Sequence, residues 1–158
     1  MTNPLPAKPV RASRIEIAQL MQPEHANTIG NVHGGWIMKL VDEAGALACM
    51  RHAQRRVVTV AIDSMVFKSP IRIGELVLLT AEVTHIGRTS MEVEVQVQAE
   101  NPITGERSQT NTAYLVYVAL DETGIPVPVP ALKAETEAEK RKFEEGRQRQ
   151  ARRLAEKK

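Results

Sequence analysis

Cysteine occurs once in these 158 residues, at Cys49. A lone cysteine allows no disulfide within the chain and no cysteine-based metal site. Aromatic residues are nearly as scarce: one tryptophan, two tyrosines and two phenylalanines. A core must therefore be built from Val, Ile, Leu, Ala and Met, and few rings remain on which nucleic-acid bases could stack. An excess of one charge is lacking too. The net charge of +2 is too small for a general polyanion binder, yet leaves room for a local basic patch that receives a phosphorylated small molecule. No run approaches the ~18 apolar residues of a membrane span. The leading MTNPLPAKPVRASR contains no apolar stretch of the kind that directs secretion. A cytoplasmic protein is expected, with neither nucleic acid nor membrane as partner.

Several catalytic patterns are missing as well. Ser64 has no Gly-x-Ser-x-Gly elbow around it, and neither a P-loop nor a dinucleotide fingerprint occurs. His25 and His33 share one loop without HExxH-type spacing, and His52 and His85 sit apart from them, so no metal site is expected. A covalent serine or cysteine mechanism is disfavoured.

What is present reads as one domain of ordinary composition, 42% apolar and 25% charged. Residues 1–12, proline-rich and polar, read as a disordered lead-in. Ile15 and Ile17 alternate with Arg14 and Glu16 in a first strand. Residues 22–35, QPEHANTIGNVHGG, form a loop. Over residues 36–52, WIMKLVDEAGALACMRH, apolar side chains cover nearly the whole helical circumference, so this helix belongs in an interior. Gly45 in its middle costs roughly 1 kcal/mol against alanine, which implies close passage of another backbone. Four strands follow: Val57–Phe67, Leu76–Ile86, Ser90–Ala99 and Arg107–Leu120. In the third, Met91, Val93, Val95 and Val97 alternate with Glu92, Glu94, Gln96 and Gln98, giving one buried face and one wet face. Ile86-Gly87-Arg88-Thr89 reads as a tight hairpin. The layout is α+β, an antiparallel sheet wrapped around one long helix. Beyond Pro130 the composition shifts to Glu, Lys, Arg, Gln and Ala. After Gly146 six basic residues stand against one acid, which reads as a solvated helix or a disordered tail, with a solubilising role favoured over a partner-binding one.

The stretch HANTIGNVHGGWIMKLVDEAG, residues 25–45, resembles the signature of hotdog-fold acyl-CoA thioesterases. Its likeness is to the brain-type cytosolic acyl-CoA hydrolases and their bacterial short-chain relatives. That pattern is an asparagine, a glycine, a Gly-Gly pair and an aspartate on the following helix, here Asn27, Gly30, Gly34-Gly35 and Asp42. FKSPIRIGE at 67–75, HIGRTSMEVEV at 85–95 and AYLVYVALDETGIPVPVP at 113–130 extend the likeness over residues 14–130. The resemblance implies a hotdog thioesterase domain over 13–130, with a basic helix or tail over 131–158 outside the signature. It also implies thioester hydrolysis of acyl-CoA without metal or redox cofactor, coenzyme A entering only as part of the substrate. Assembly as homodimers grouped into hexamers is implied too. Asn27, Asp42 and Gly35 become the catalytic set. Gly34, Lys68, Gly87, Arg88, Thr89 and Ser90 become contacts to the coenzyme A half.

Each of these residues also has a plainer use. Asp42 on an apolar helix is either a structural carboxylate held by a neighbouring donor or a general base, for which partial burial of a carboxylate is an advantage. Glu43 faces elsewhere and pairs with Lys39 one turn back. Asn27 either holds a turn or orients water or the thioester carbonyl. Gly35, with Gly34 beside it, begins a helix where free N–H groups and the dipole favour a developing oxyanion. The Gly87–Ser90 turn is either an ordinary hairpin with an exposed arginine or a cradle for a diphosphate, with Lys68 a second cation. Cys49 is inert packing. Two rival functions stay open: a hotdog hydratase or dehydratase, in which His33 would be conscripted, and a noncatalytic acyl-CoA or nucleotide-binding module.

Overall fold

The computed structural model describes residues 5–157. Its elements are β1 (Lys8–Pro9), β2 (Ile15–Leu20), α1 (Gly34–Ala53), β3 (Arg56–Met65), β4 (Leu76–Ile86), β5 (Ser90–Glu100), β6 (Arg107–Leu120), β7 (Leu132–Lys133) and α2 (Glu137–Glu156). Strands β2 to β6 form an antiparallel sheet in the order β2-β4-β5-β6-β3, and α1 packs across one face of it. The expected succession of strand, long helix and meander is the observed one.

The 3.6-residue spacing of Ile37, Leu40, Val41, Ala44 and Ala48 turns one side of α1 onto the sheet, where all five are buried. The inward row of β5, Met91, Val93, Val95 and Val97, is fully buried opposite them. Each such side chain contributes about 1.5–3 kcal/mol when taken out of water. Gly45 is needed here for a reason other than the one expected. A Cβ at this position would lie 2.4 Å from the Tyr117 hydroxyl oxygen and 2.9 Å from Val93, so a side chain and not a backbone presses on the helix.

The other side of α1 is uncovered. Met38, Leu47 and Met50 are 43%, 41% and 36% exposed, so the helix is interior on one side only. Strand β3, at the open edge of the sheet, likewise exposes Val58, Val60 and Ile62, and the chain beyond it exposes Val66 and Phe67.

Two segments differ from expectation. The lead-in is ordered from Lys8: β1 pairs in parallel with β7, and Val10 is buried. The buried Ser13 hydroxyl donates to the Val10 carbonyl at 2.7 Å and accepts from the Val83 amide at 2.9 Å, locking this segment onto the sheet. Residues 1–4 lie outside the described residues.

The second difference is α2, which is not a solvated tail. Its start is fixed by reciprocal capping between Thr136 and Glu139. The helix then packs on the outer face of the sheet and covers the carboxylates that strand alternation assigned to water. Glu92 is 1% exposed. The Arg149 guanidinium grips it through two bonds of 2.8 Å, and the Thr84 hydroxyl donates at 2.7 Å. Lys142 reaches Glu94 at 3.0 Å and Glu82 at 3.5 Å, while Arg153 pairs with Asp63. Gly146 allows this approach, since a Cβ there would stand 2.6 Å from that of His85. The basic residues of α2 therefore answer a buried acidic row, which no periodicity within α2 could reveal.

Removing one partner of a buried pair leaves an uncompensated charge, at a cost of about 3–5 kcal/mol. Arg149→Ala is expected to lower Tm by on the order of 10 °C, with part of the loss recovered by adding Glu92→Gln. Arg147→Ala, which breaks only an exposed pair with Glu144, should leave Tm nearly unchanged. Thermal unfolding of the four proteins makes the comparison.

Glu94 supplies a pH signature. Burial pushes its carboxyl up, but bonds from Lys142, Tyr114 and Gln96 outweigh this and hold it below the ordinary range. A depressed folded value means that the stabilisation is complete above the unfolded value and is lost as pH falls through the folded one. Wild-type Tm should therefore drop more steeply on acidification below about pH 4.5 than that of Glu94→Gln, as measured by calorimetry across that range.

Candidate active site

The loop before α1 is built around Asn27. Its side-chain oxygen accepts from the Ile29 and Asn31 backbone amides at 3.0 and 3.1 Å, and its backbone N–H donates to the Asn31 carbonyl at 2.7 Å. Gly30, at φ +87°, provides the left-handed residue that closes this turn. His25, buried, takes the Gln22 amide on Nδ1 and stacks on Trp36 with ring centroids 4.2 Å apart. Asn27 is thus a turn former through its oxygen. Its Nδ2 group bonds no protein atom among the described residues, so two donor hydrogens remain for a ligand.

Beside this loop lies a cavity of about 350 Å³, lined by Asn27, Gly34, Ile37, Phe67, Lys68 and Ile71 among others. Gly34 is the first residue of α1, and no acceptor among the described residues takes its N–H. Gly35 departs from expectation. Its N–H, foreseen as the oxyanion donor, goes to Nδ1 of His33 at 2.9 Å, because His33 caps the helix. The donor left open at this helix start is Gly34.

Asp42 lies two turns along α1, half-buried and outside that cavity. Its Oδ1 accepts from the Thr59 hydroxyl at 2.7 Å and from the Tyr117 hydroxyl at 3.0 Å. Oδ2 has no protein partner among the described residues. One carboxylate oxygen is therefore held and the other is free to accept a proton. Burial first, then the Asp42 charge and its hydrogen bond, push the Tyr117 phenol above its ordinary value, so it stays a neutral donor. Glu43 bonds Lys39 at 2.6 Å. Cys49 is buried, and burial pushes its thiol up, which keeps it un-ionised.

The Gly87–Ser90 turn is elsewhere again. The Gly87 amide donates to the Ser90 carbonyl at 2.8 Å, and the carbonyls of Arg88 and Thr89 accept from Val129 and Ala119. The Arg88 side chain is exposed. Ser90 lines a separate cavity of about 520 Å³ between β3, β6 and the end of α2. Of the residues expected in the site, a single chain thus gathers Asn27, Gly34 and Lys68, while Asp42 and the Gly87–Ser90 turn stay apart. Thr59 and Tyr117 are additions from the structure. On β3 and β6 they look like ordinary strand residues, and nothing in their spacing marks them.

A model of the thioesterase superfamily matches residues 29–106. The chain is 37% identical to the rat (Rattus norvegicus) cytosolic acyl coenzyme A thioester hydrolase over 149 residues, 93% of this chain but 39% of that protein. It thus spans well under half of the length of that relative. An apo hexameric acyl-CoA thioesterase superposes at a TM-score of 0.92 with 42% identity, covering 96% of this chain and 97% of the other. The Staphylococcus aureus acyl-CoA hydrolase in complex with butyryl coenzyme A, coenzyme A and coenzyme A disulfide superposes at 0.88 with 33% identity, over 96% and 93% of the two chains. That hydrolase is also known with an aspartate, an asparagine and a threonine each replaced by alanine. The chain belongs to the thioesterase superfamily and has its hotdog fold.

Proposed function

We propose that the protein is an acyl-CoA thioesterase, releasing a free carboxylic acid and coenzyme A by attack of water on the thioester. The observation that carries this reading is the Asp42 carboxylate, held at Oδ1 by Thr59 and Tyr117 with Oδ2 unpartnered, in a chain of this superfamily. Oδ2 takes a proton from water as the water oxygen attacks the carbonyl carbon. The negative charge on the carbonyl oxygen is received by the Gly34 N–H at the positive end of the helix dipole and by the Asn27 amide. Collapse of this tetrahedral intermediate expels the coenzyme A thiolate, and the proton held on Asp42 passes to the sulfur. The Gly87–Ser90 turn, Arg88 above all, and Lys68 receive the phosphates of the nucleotide half. The reaction belongs to the cytoplasm, as does that of the rat relative by its name.

The site, in this reading, is shared between two copies of the chain. Gly34 and Asp42 are eight residues apart, so about 12 Å of helix rise separates them, while base and oxyanion donor must both work within about 3 Å of one thioester or its water. The uncovered side of α1 and the open edge at β3 supply an apolar surface for a two-fold partner. Antiparallel α1 helices would then bring the partner subunit's Asp42 to the Asn27–Gly34 cavity. Three such dimers make a hexamer of the kind named for the similar thioesterase.

Asp42→Asn is nearly isosteric but cannot take a proton from water. It is expected to lower kcat by about 10²-fold or more with the fold retained, read by thiol release across acyl-CoA chain lengths. A folded variant with near-normal kcat would remove Asp42 as the base.

Sharing is tested by complementation. Asn27→Ala and Asp42→Ala, each inactive alone, are unfolded together in equal amounts and refolded. Random pairing makes about half of the dimers mixed, each with one intact site of two, so about a quarter of wild-type activity should return. Mixed dimers that form but stay at background activity would place the whole site within one chain.

A further inference from the structure

Tyr117 is fully buried on β6, 75 residues from Asp42 in sequence, and its hydroxyl is in contact with Asp42 alone among acidic groups. The oxygen stands 3.0 Å from Asp42 Oδ1 and 2.8 Å from the Asp42 backbone carbonyl. Both Asp42 oxygens are acceptors, and the nearby Thr59 hydroxyl spends its own proton on Oδ1, so the single phenolic proton points at Asp42, where the charged carboxylate has the stronger claim on it. The space for this hydroxyl exists only because residue 45 is glycine: an alanine Cβ would stand 2.4 Å from the tyrosine oxygen. A backbone position one turn along the helix is thus kept bare, and a large aromatic ring is sunk into the core, to deliver one hydroxyl to one carboxylate.

From this geometry we infer that Tyr117 is a positioning residue for Asp42, fixing its side-chain orientation through a hydrogen bond to Oδ1. The inference rests on Asp42 being the base and adds a residue and a function to that reading. Two donors on Oδ1 fix the carboxylate plane, which leaves Oδ2 in one direction for water.

Thr59, from β3, donates to the same oxygen at 2.7 Å, so the carboxylate is held from two neighbouring strands, and Tyr117 supplies the hold from β6. On α1 itself, Glu43 is paired with Lys39 and makes no claim on Asp42.

The test is Tyr117→Phe, which keeps the ring in the core and removes only the hydroxyl. The kcat and KM for acyl-CoA hydrolysis are measured for the wild type, Tyr117→Phe, Asp42→Asn and the double variant, with the fold checked by circular dichroism and Tm. A less well aimed carboxylate should lower kcat by roughly 3–10-fold with KM little changed. The loss should vanish from the residual activity of the Asp42→Asn background, since Tyr117 acts through that carboxylate. A merely structural tyrosine would lower Tm or cost kcat equally in both backgrounds. A folded Tyr117→Phe with wild-type kcat, or a loss undiminished in the Asp42→Asn background, overturns the inference. Asp42→Asn separates the two levels of failure. If it loses activity while Tyr117→Phe keeps the wild-type kcat, only the role of Tyr117 falls. If it is active, the base assignment falls and takes this inference with it.

Discussion

A helix that is apolar on nearly every side sets the terms for this molecule. Apart from Lys39, Asp42, Glu43 and Arg51, its middle turns present Ile, Leu, Val, Ala and Met to their surroundings, so both of its long sides gain by removal from water. The five-stranded sheet covers one. It does so with small and branched residues that let the helix sit low, and Gly45 lets it sit lower still against Tyr117. No described residue covers the other side, where Met38, Leu47 and Met50 are exposed. Asp42, the proposed base, stands where the buried side of α1 meets the uncovered one, half withdrawn from water, fastened from the sheet and without a protein partner at its remaining oxygen.

Much of the architecture was legible because it depends on local periodicity. The alternation from Met91 to Val97 locates β5, and the helical spacing from Ile37 to Ala48 locates α1. The Asn27, Gly34-Gly35 and Asp42 spacing pointed to the loop and helix start where Asn27 and Gly34 line one cavity. What escaped depends on pairings between distant residues or on single rotamers. The alternation that buries Val93 and Val95 says that Glu92 and Glu94 face outward, but not that a basic helix more than forty residues later in the chain covers them. The swing of the His33 ring onto the Gly35 N–H is a side-chain choice, and it moves the free donor by one residue. Tyr117 and Thr59 meet Asp42 only once β6 and β3 pair.

The two faces of the sheet are held by opposite physics. The inner face is dry and aliphatic, and its contribution scales with buried area. On the outer face α2 is docked by ion pairs, a glycine at the closest approach and one ring, Phe143 against His85. Such pairs contribute little net stability relative to an apolar contact, but breaking one is costly. They therefore fix where α2 lies more strictly than they hold it down.

The strand order carries a consequence for how the chain is made. Strand β3 ends at Met65, yet its neighbour in the sheet is β6, which begins at Arg107. During synthesis the finished helix and its adjoining strand must wait for some forty further residues, while β4 and β5 pair as a local hairpin. Through that interval the valine-rich strand has two bare edges, each a template for another chain. When β6 arrives it occupies one edge, and the other remains open. Emerging chains on one message, held close together, therefore have the means to find each other through β3 before any of them is released.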